Sequence, residues 1–241
     1  MEQYGLGRIQ SPFDARDYNL ADFIPLAVPM TIEKNVYWDF PSKSLNQGLE
    51  PSCVGYTYAA FGITTPVNTM YTNEDGDRFY RMCKEIDGMP NSEGTTLRAG
   101  AKIFKREGRI KSYAFARDIN AIKWWLFNRG SVVVGTLWSE EMFYPNRDNI
   151  ITIGGSIVGG HAYLIREIKD NKYFGIQNSW GKDWGTNGKA YISIEDFDTL
   201  FSYNGEAVTT VELEHGEEEN IKPPKSSHKC WLLEFIKDVF R

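Results

Sequence analysis

Apolar residues along this chain follow two different periods. Between residues 37 and 110 they recur at helical spacing. The segment after Pro51-Ser52 is apolar or small at nearly every position and predicts a buried helix from Cys53 that stops near Pro66, with Ser52 as its N-cap. Further helices are predicted over 71–86 and over 95–106, where Leu97, Ala101 and Phe104 share one face and Gly108 closes the element. One more short helix is predicted over 119–129, ending at Gly130. Beyond that point the pattern becomes extended, with strands predicted over 131–138, 161–168, 172–178 and 189–194, separated by Gly and Asn turns. A helical half of about 37–110 is therefore followed by a β half of about 111–212. No internal repeat is present.

The two ends differ from this middle. Residues 1–36 are punctuated by Pro and Asp, with Ser11-Pro12-Phe13-Asp14-Ala15-Arg16-Asp17-Tyr18 as the one dense motif, and read as an N-terminal arm. Residues 213–241 open with an acidic, Pro-containing linker. They close with Trp231, Leu232, Phe235, Ile236, Val239 and Phe240 at helical spacing. An isolated helix this short is marginal in water, so the segment 228–241 is expected to dock, first on its own catalytic unit, next on a protein partner and last on a membrane surface.

Chemistry enters through two distant segments. Gln47-Gly48-Leu49-Glu50-Pro51-Ser52-Cys53 supplies a thiol at a helix start, and Gly160-His161-Ala162 with Gln177-Asn178-Ser179-Trp180-Gly181 supplies an imidazole and an amide. A catalytic thiol needs a base, a cation or a helix N-terminus to hold the thiolate, and Cys53 has access to all three. His161 would pair with it as imidazolium, Asn178 would fix the ring through its amide oxygen, and Gln47 with the Cys53 backbone amide would hold an oxyanion. This is a set for acyl transfer through cysteine, and it implies no cofactor and no metal.

These residues resemble the papain-like cysteine peptidases, the C1 family. The closest correspondence is Asn178-Ser179-Trp180-Gly181-Lys182-Asp183-Trp184-Gly185-Thr186-Asn187-Gly188-Lys189-Ala190-Tyr191, with its two Trp-Gly pairs. The resemblance spans roughly 37–205 and implies an α+β fold of two lobes, a helical lobe facing an antiparallel β-barrel-like lobe with the active site in the cleft between. It implies a thiol peptidase with Cys53, His161, Asn178 and Gln47 as catalytic residues, and Gly94, Gly160 and Trp180 beside the bound peptide. Trp180 would lie over the His161–Asn178 bond, while Trp184 reads as a core aromatic. The signature around the thiol departs from the family, since Glu50 stands where secreted members place a disulfide cysteine and Val54 where they place Trp. The arm is much shorter than the inhibitory propeptide of secreted members, so the resemblance is to prokaryotic or viral relatives and implies no zymogen. A thiol amidase or transpeptidase would use the same groups. A catalytically silent peptide-binding module is the reading from another class, against which the intact four residues stand.

Composition narrows the setting. The 241 residues, 41% hydrophobic, suffice for one large core or two small lobes. A net charge of −5 gives no reason to invoke nucleic acid. Three scattered cysteines, Cys53, Cys83 and Cys230, argue against a disulfide framework, and Cys83 reads as structural. The N-terminus lacks the pattern of a signal peptide and no run reaches spanning length, so the expected compartment is a reducing cytoplasm, the host's if the source is viral. The expected partner is a peptide or protein substrate.

Overall fold

A helix that is apolar on every side has no solvent face to present and must be enclosed. In the computed structural model, which describes residues 4–24 and 34–211, that helix is α1 (Cys53–Ile63), and all 11 of its residues are buried. Ser52 takes the N-cap position as the pattern predicts, but its hydroxyl accepts nothing from the first turn. The second helix, α2 (Asn73–Ile86), starts two residues later than predicted, because Thr72 and Asp75 form a reciprocal capping box there. Helix α3 (Leu97–Arg106) is capped by Thr96, whose hydroxyl accepts from the Ala99 N–H at 3.1 Å.

The arm supplies three short strands, β1 (Arg8–Ile9), β2 (Tyr18–Asn19) and β3 (Val36–Tyr37). The helical half holds one, β4 (Thr95–Thr96), at residues the periodicity assigns to the start of a helix. The β half comprises β5 (Ser112–Ala116), helix α4 (Ile119–Asn128), β6 (Val132–Ser139), β7 (Ile150–Ile151), β8 (Ile157–Lys169), β9 (Tyr173–Gln177), β10 (Lys189–Ser193), helix α5 (Ile194–Ser202) and β11 (Glu206–Val211). One sheet runs in the order β2-β5-β11-β6-β8-β9-β10-β7, with β3 on β8, while β1 pairs in parallel with β4. In the β half the sequence pattern misses β5, β7, β11 and α5, and starts β8 four residues late.

Central strands of the sheet are buried on both faces, which is why they read as unbroken apolar runs. Val132 and Val134 of β6 belong to one hydrophobic cluster, with Trp138, Tyr163, Phe174 and Phe197. Val133, with Leu164 of β8 and Val208 of β11, belongs to the other, formed with Tyr58, Phe61, Phe79 and Phe104 of the helices. The result is the two-lobe α+β fold, with the N-terminus of α1 lodged against β8. Cys83 is a free buried thiol in the helical cluster. The linker and amphipathic helix expected at 213–241, with Cys230, lie outside the described residues. Among the described residues no helix is long and apolar enough to cross a membrane.

The seam between α1 and α2 is set by backbone contact. A Cβ at Gly55 would overlap the Gly76 carbonyl and the Tyr80 backbone nitrogen. Gly55→Ala should therefore cost about 1–3 kcal/mol by overpacking. Thermal melting is the check: a midpoint equal to the parent's would show that the helices separate freely.

Candidate active site

The start of α1 meets the sheet at Cys53. Its sulfur accepts the N–H of Ala162 at 3.4 Å, and Ala162 follows His161 on β8. Just past the end of β9, Asn178 Oδ1 lies 2.8 Å from His161 Nε2. The same oxygen accepts the Ser179 N–H at 2.8 Å, so it is the amide oxygen that faces the ring and Nε2 that carries the proton. Nδ1 is then the lone-pair nitrogen of the neutral imidazole. It is buried without a hydrogen-bond partner.

Two indoles enclose that ring. Trp180 stacks on His161 with centroids 4.5 Å apart and planes 22° apart, the covering place expected for it. Trp138 of β6 meets the ring edge-on at 4.8 Å and 73°. Sequence reasoning missed Trp138, which stands in the apolar run at 131–138 with nothing local to mark it. Trp184 is buried in the core, where its indole N–H donates to the Phe143 carbonyl at 2.9 Å.

Gln47 is held at both ends of its amide. Oε1 accepts from the Ser179 hydroxyl at 2.6 Å. Nε2 donates to the Glu50 carbonyl at 2.7 Å and to the Leu6 carbonyl at 3.4 Å. The Ser179 hydroxyl, whose part the sequence did not reveal, thus decides which end of the Gln47 amide faces the cleft.

The Leu6 carbonyl is there because the arm threads the cleft. Gly5 N–H donates to the Gly48 carbonyl at 3.1 Å and Gly7 N–H to the Gly160 carbonyl at 3.2 Å. Trp180 donates its indole N–H to the Gly5 carbonyl at 2.9 Å, and Thr95 N–H donates to the Gly7 carbonyl at 2.9 Å. Gly94, at φ +82°, has no room for a Cβ beneath that same Gly7 carbonyl. Tyr4 closes the end of the cleft by stacking on Trp180 at 4.7 Å. Gly94, Gly160 and Trp180, expected beside a bound peptide, here hold a peptide of the chain itself. The expectation that so short an arm leaves the enzyme without a blocking segment is corrected: residues 4–9 occupy the cleft, held through the Gly5 and Gly7 amides and the Gly5, Leu6 and Gly7 carbonyls.

Coverage sets the electrostatics. Cys53 and His161 are both fully buried. Burial pushes the Cys53 thiol up to about 12, opposed by the Ala162 N–H and by the nearby Arg8 charge. Burial also pulls the His161 imidazole down to about 3, with the Asn178 hydrogen bond acting the other way. The thiolate–imidazolium pair expected from the sequence is thus disfavoured in this closed arrangement, since neither charge has water. Among the described residues no group of three or more His, Cys, Asp or Glu side chains could hold a metal ion.

Residues 40–208 match the family described as papain family cysteine protease. The chain belongs to the papain family of cysteine proteases. It is a thiol peptidase, a hydrolase acting on peptides or proteins. Over 146 residues it is 26% identical to cathepsin B-like cysteine proteinase 3 of Ostertagia ostertagi, covering 58% of this chain and 84% of that one. Its fold is similar to that of xylellain, a cysteine protease from Xylella fastidiosa, with a TM-score of 0.66 and 19% identity over 88% of this chain and 98% of the other. It is also similar to proCathepsin B S9 from Trypanosoma congolense, with a TM-score of 0.62 and 11% identity over 87% of each chain.

The His161 shift gives the folded protein a pH dependence. A neutral buried imidazole stabilises the fold fully above the ordinary histidine value of 6.5, and that stabilisation is lost as pH falls from there toward about 3, because only the ring of the unfolded chain takes up the proton readily. The thermal midpoint should fall further between pH 7.5 and pH 4.5 in the parent than in His161→Gln. Equal falls in the two would mean that stability is not linked to this proton.

Proposed function

We propose that Cys53 attacks the peptide carbonyl and that His161 takes the thiol proton on Nδ1, gives it to the leaving amine and then activates water for deacylation. Asn178 orients the ring and Gln47 Nε2, with the Cys53 backbone N–H, binds the oxyanion. The observation that carries this reading is the paired acceptance by Asn178 Oδ1, which keeps the proton on His161 Nε2 and leaves Nδ1 as a base beside the strand backbone that touches the sulfur. The Leu6 carbonyl, 3.4 Å from Gln47 Nε2, marks where a substrate carbonyl would lie.

Leu6–Gly7 is placed like a substrate bond but turned the wrong way. Its nitrogen, the would-be leaving group, donates to the Gly160 carbonyl and not to His161. Collapse of a tetrahedral adduct needs that nitrogen protonated by the imidazole, so the arm blocks the cleft without being cut. Turnover on other peptides requires the arm to swing out. We place the protease in a reducing compartment, consistent with the cytoplasmic expectation: the described thiols, Cys53 and Cys83, are both free.

Cys53→Ala should abolish turnover with the fold intact. Gln47→Ala should lower kcat by about 10²–10³, the usual loss for one oxyanion donor, with little change in KM. Asn178→Ala should be milder than His161→Ala. An epoxysuccinyl thiol reagent should label Cys53, mapped by mass spectrometry. Label on Cys83 or Cys230 instead would overturn the assignment, as would equal and total losses at Gln47, His161 and Asn178 accompanied by unfolding.

A further inference from the structure

Behind the cleft wall at Gly94 and Thr95 lies a charged cluster with no part in the chemistry above. Lys84 stands in the last turn of α2, and its ammonium donates to Asp87 Oδ2 at 2.9 Å, to the Met89 carbonyl at 2.6 Å and to the Gly94 carbonyl at 3.0 Å. An ammonium has three donors, so this one is fully used. Asp87 accepts in addition from the Thr95 hydroxyl at 2.9 Å and from the Met89 N–H at 2.8 Å. Its side chain is closed to solvent, and that of Lys84 is 18% exposed. One turn earlier on α2, the Tyr80 hydroxyl accepts the Gly94 N–H at 3.2 Å.

The Gly94 carbonyl and the Thr95 N–H are the two ends of one peptide group, and in a trans peptide they point in opposite directions. The Lys84 ammonium draws the carbonyl end back toward α2. The N–H end therefore faces the cleft, where it donates to the Gly7 carbonyl at 2.9 Å. Nothing in residue 94 itself enforces this orientation, because glycine restricts the backbone least, and Gly94 sits at φ +82°. Turned over, the same group would present its carbonyl to the carbonyl of a bound peptide, and two acceptors repel. A cation on the carbonyl also polarises the group and strengthens its N–H as a donor. Cys53 and Cys83 are both free, so among the described residues no disulfide ties this wall in place.

We propose that Lys84 is a positioning residue for peptide binding: through the Gly94 carbonyl it aims and strengthens the Thr95 N–H that receives a substrate's backbone carbonyl. Asp87 holds the ammonium and binds the Thr95 hydroxyl, so the donor is anchored to the end of α2 from both sides. Lys84 touches no reacting atom and acts on the seating of the peptide. This deepens the peptidase reading and rests on it.

The test uses the full chain and two reagents for Cys53: a peptidyl chloromethyl ketone, whose backbone lies along the wall, and iodoacetamide, which is too small to reach it. Both wait on the same opening of the cleft, so the ratio of their labelling rates is independent of how often the arm leaves. Lys84→Met keeps the length of the side chain and removes its donors. It should lower the ratio of peptide reagent to iodoacetamide by about tenfold, the loss of one charge-assisted hydrogen bond. Iodoacetamide should label no more slowly than in the parent, because the arm loses the same Thr95 donor. If the orphaned Asp87 carboxylate keeps this variant from folding, Lys84→Met/Asp87→Asn removes both charges together and should show the same fall. An unchanged ratio in a folded variant overturns the positioning role and leaves the peptidase site standing. Failure of both variants to fold would make Lys84 a support of the core and overturn the role as well. Failure of the parent's Cys53 to take either reagent overturns the peptidase reading and the proposal together.

Discussion

The cleft depends on a short ladder joining residues 45–47 to residues 179–181. Gln47 N–H donates to the Ser179 carbonyl at 2.8 Å, Gly181 N–H donates to the Leu45 carbonyl at 2.9 Å, and Asn46 pairs with Trp180 in an antiparallel bridge. The Ser179–Gln47 side-chain bond lies on the same seam. One strip leads into α1 and its thiol, and the other follows the asparagine bonded to the imidazole, so pinning the strips together sets the thiol against the ring without a direct bond between them. Reactive groups held by the backbone of both lobes need little reorganisation on the way to the transition state.

The ladder also explains why a weak-looking arm can hold its place. Gly48, Gly160 and Thr95 offer it backbone groups fixed by strand or turn geometry, so the arm orders only itself on binding. Tyr4 extends an aromatic stack already built from Trp180 and Phe143, whose rings lie 5.2 Å apart. Beneath this segment the thiol and the imidazole are both closed to solvent, and their burial disfavours the charge separation on which thiol reactivity depends.

The fold was legible from the change of period near residue 130, and the grouping of Gln47, Cys53, His161 and Asn178 from local motifs that name each residue by its immediate neighbours. What stayed hidden acts across long stretches of chain. Ser179 stands inside a recognised motif, but its hydroxyl answers to Gln47, 132 positions away. Glu206 opens a strand whose Ala-Val-Thr-Thr-Val run carries a β-branched signal. An acidic residue at a strand end nevertheless reads as solvated until its ion pair with Arg8 is known. Gly5-Leu6-Gly7 has the composition of a loose connector, and only the receiving carbonyls and amides make it a strand-like insert. The capping box at Thr72 moved a boundary by two residues, the usual scale on which local hydrogen bonds override periodicity.

Because the arm belongs to the same chain, it behaves as a ligand at fixed effective concentration that dilution cannot remove. Any substrate meets only the fraction of molecules whose cleft is open, and its apparent affinity is the intrinsic one reduced by that fraction. A chain open in one molecule of a hundred would show a KM raised by about 100-fold with kcat unchanged once the substrate is seated. Six residues in a groove would thereby scale the rate: scarce peptides would be cut more slowly in proportion to the closed fraction, saturating ones at full speed, with that fraction set by the contacts of Tyr4 through Ile9.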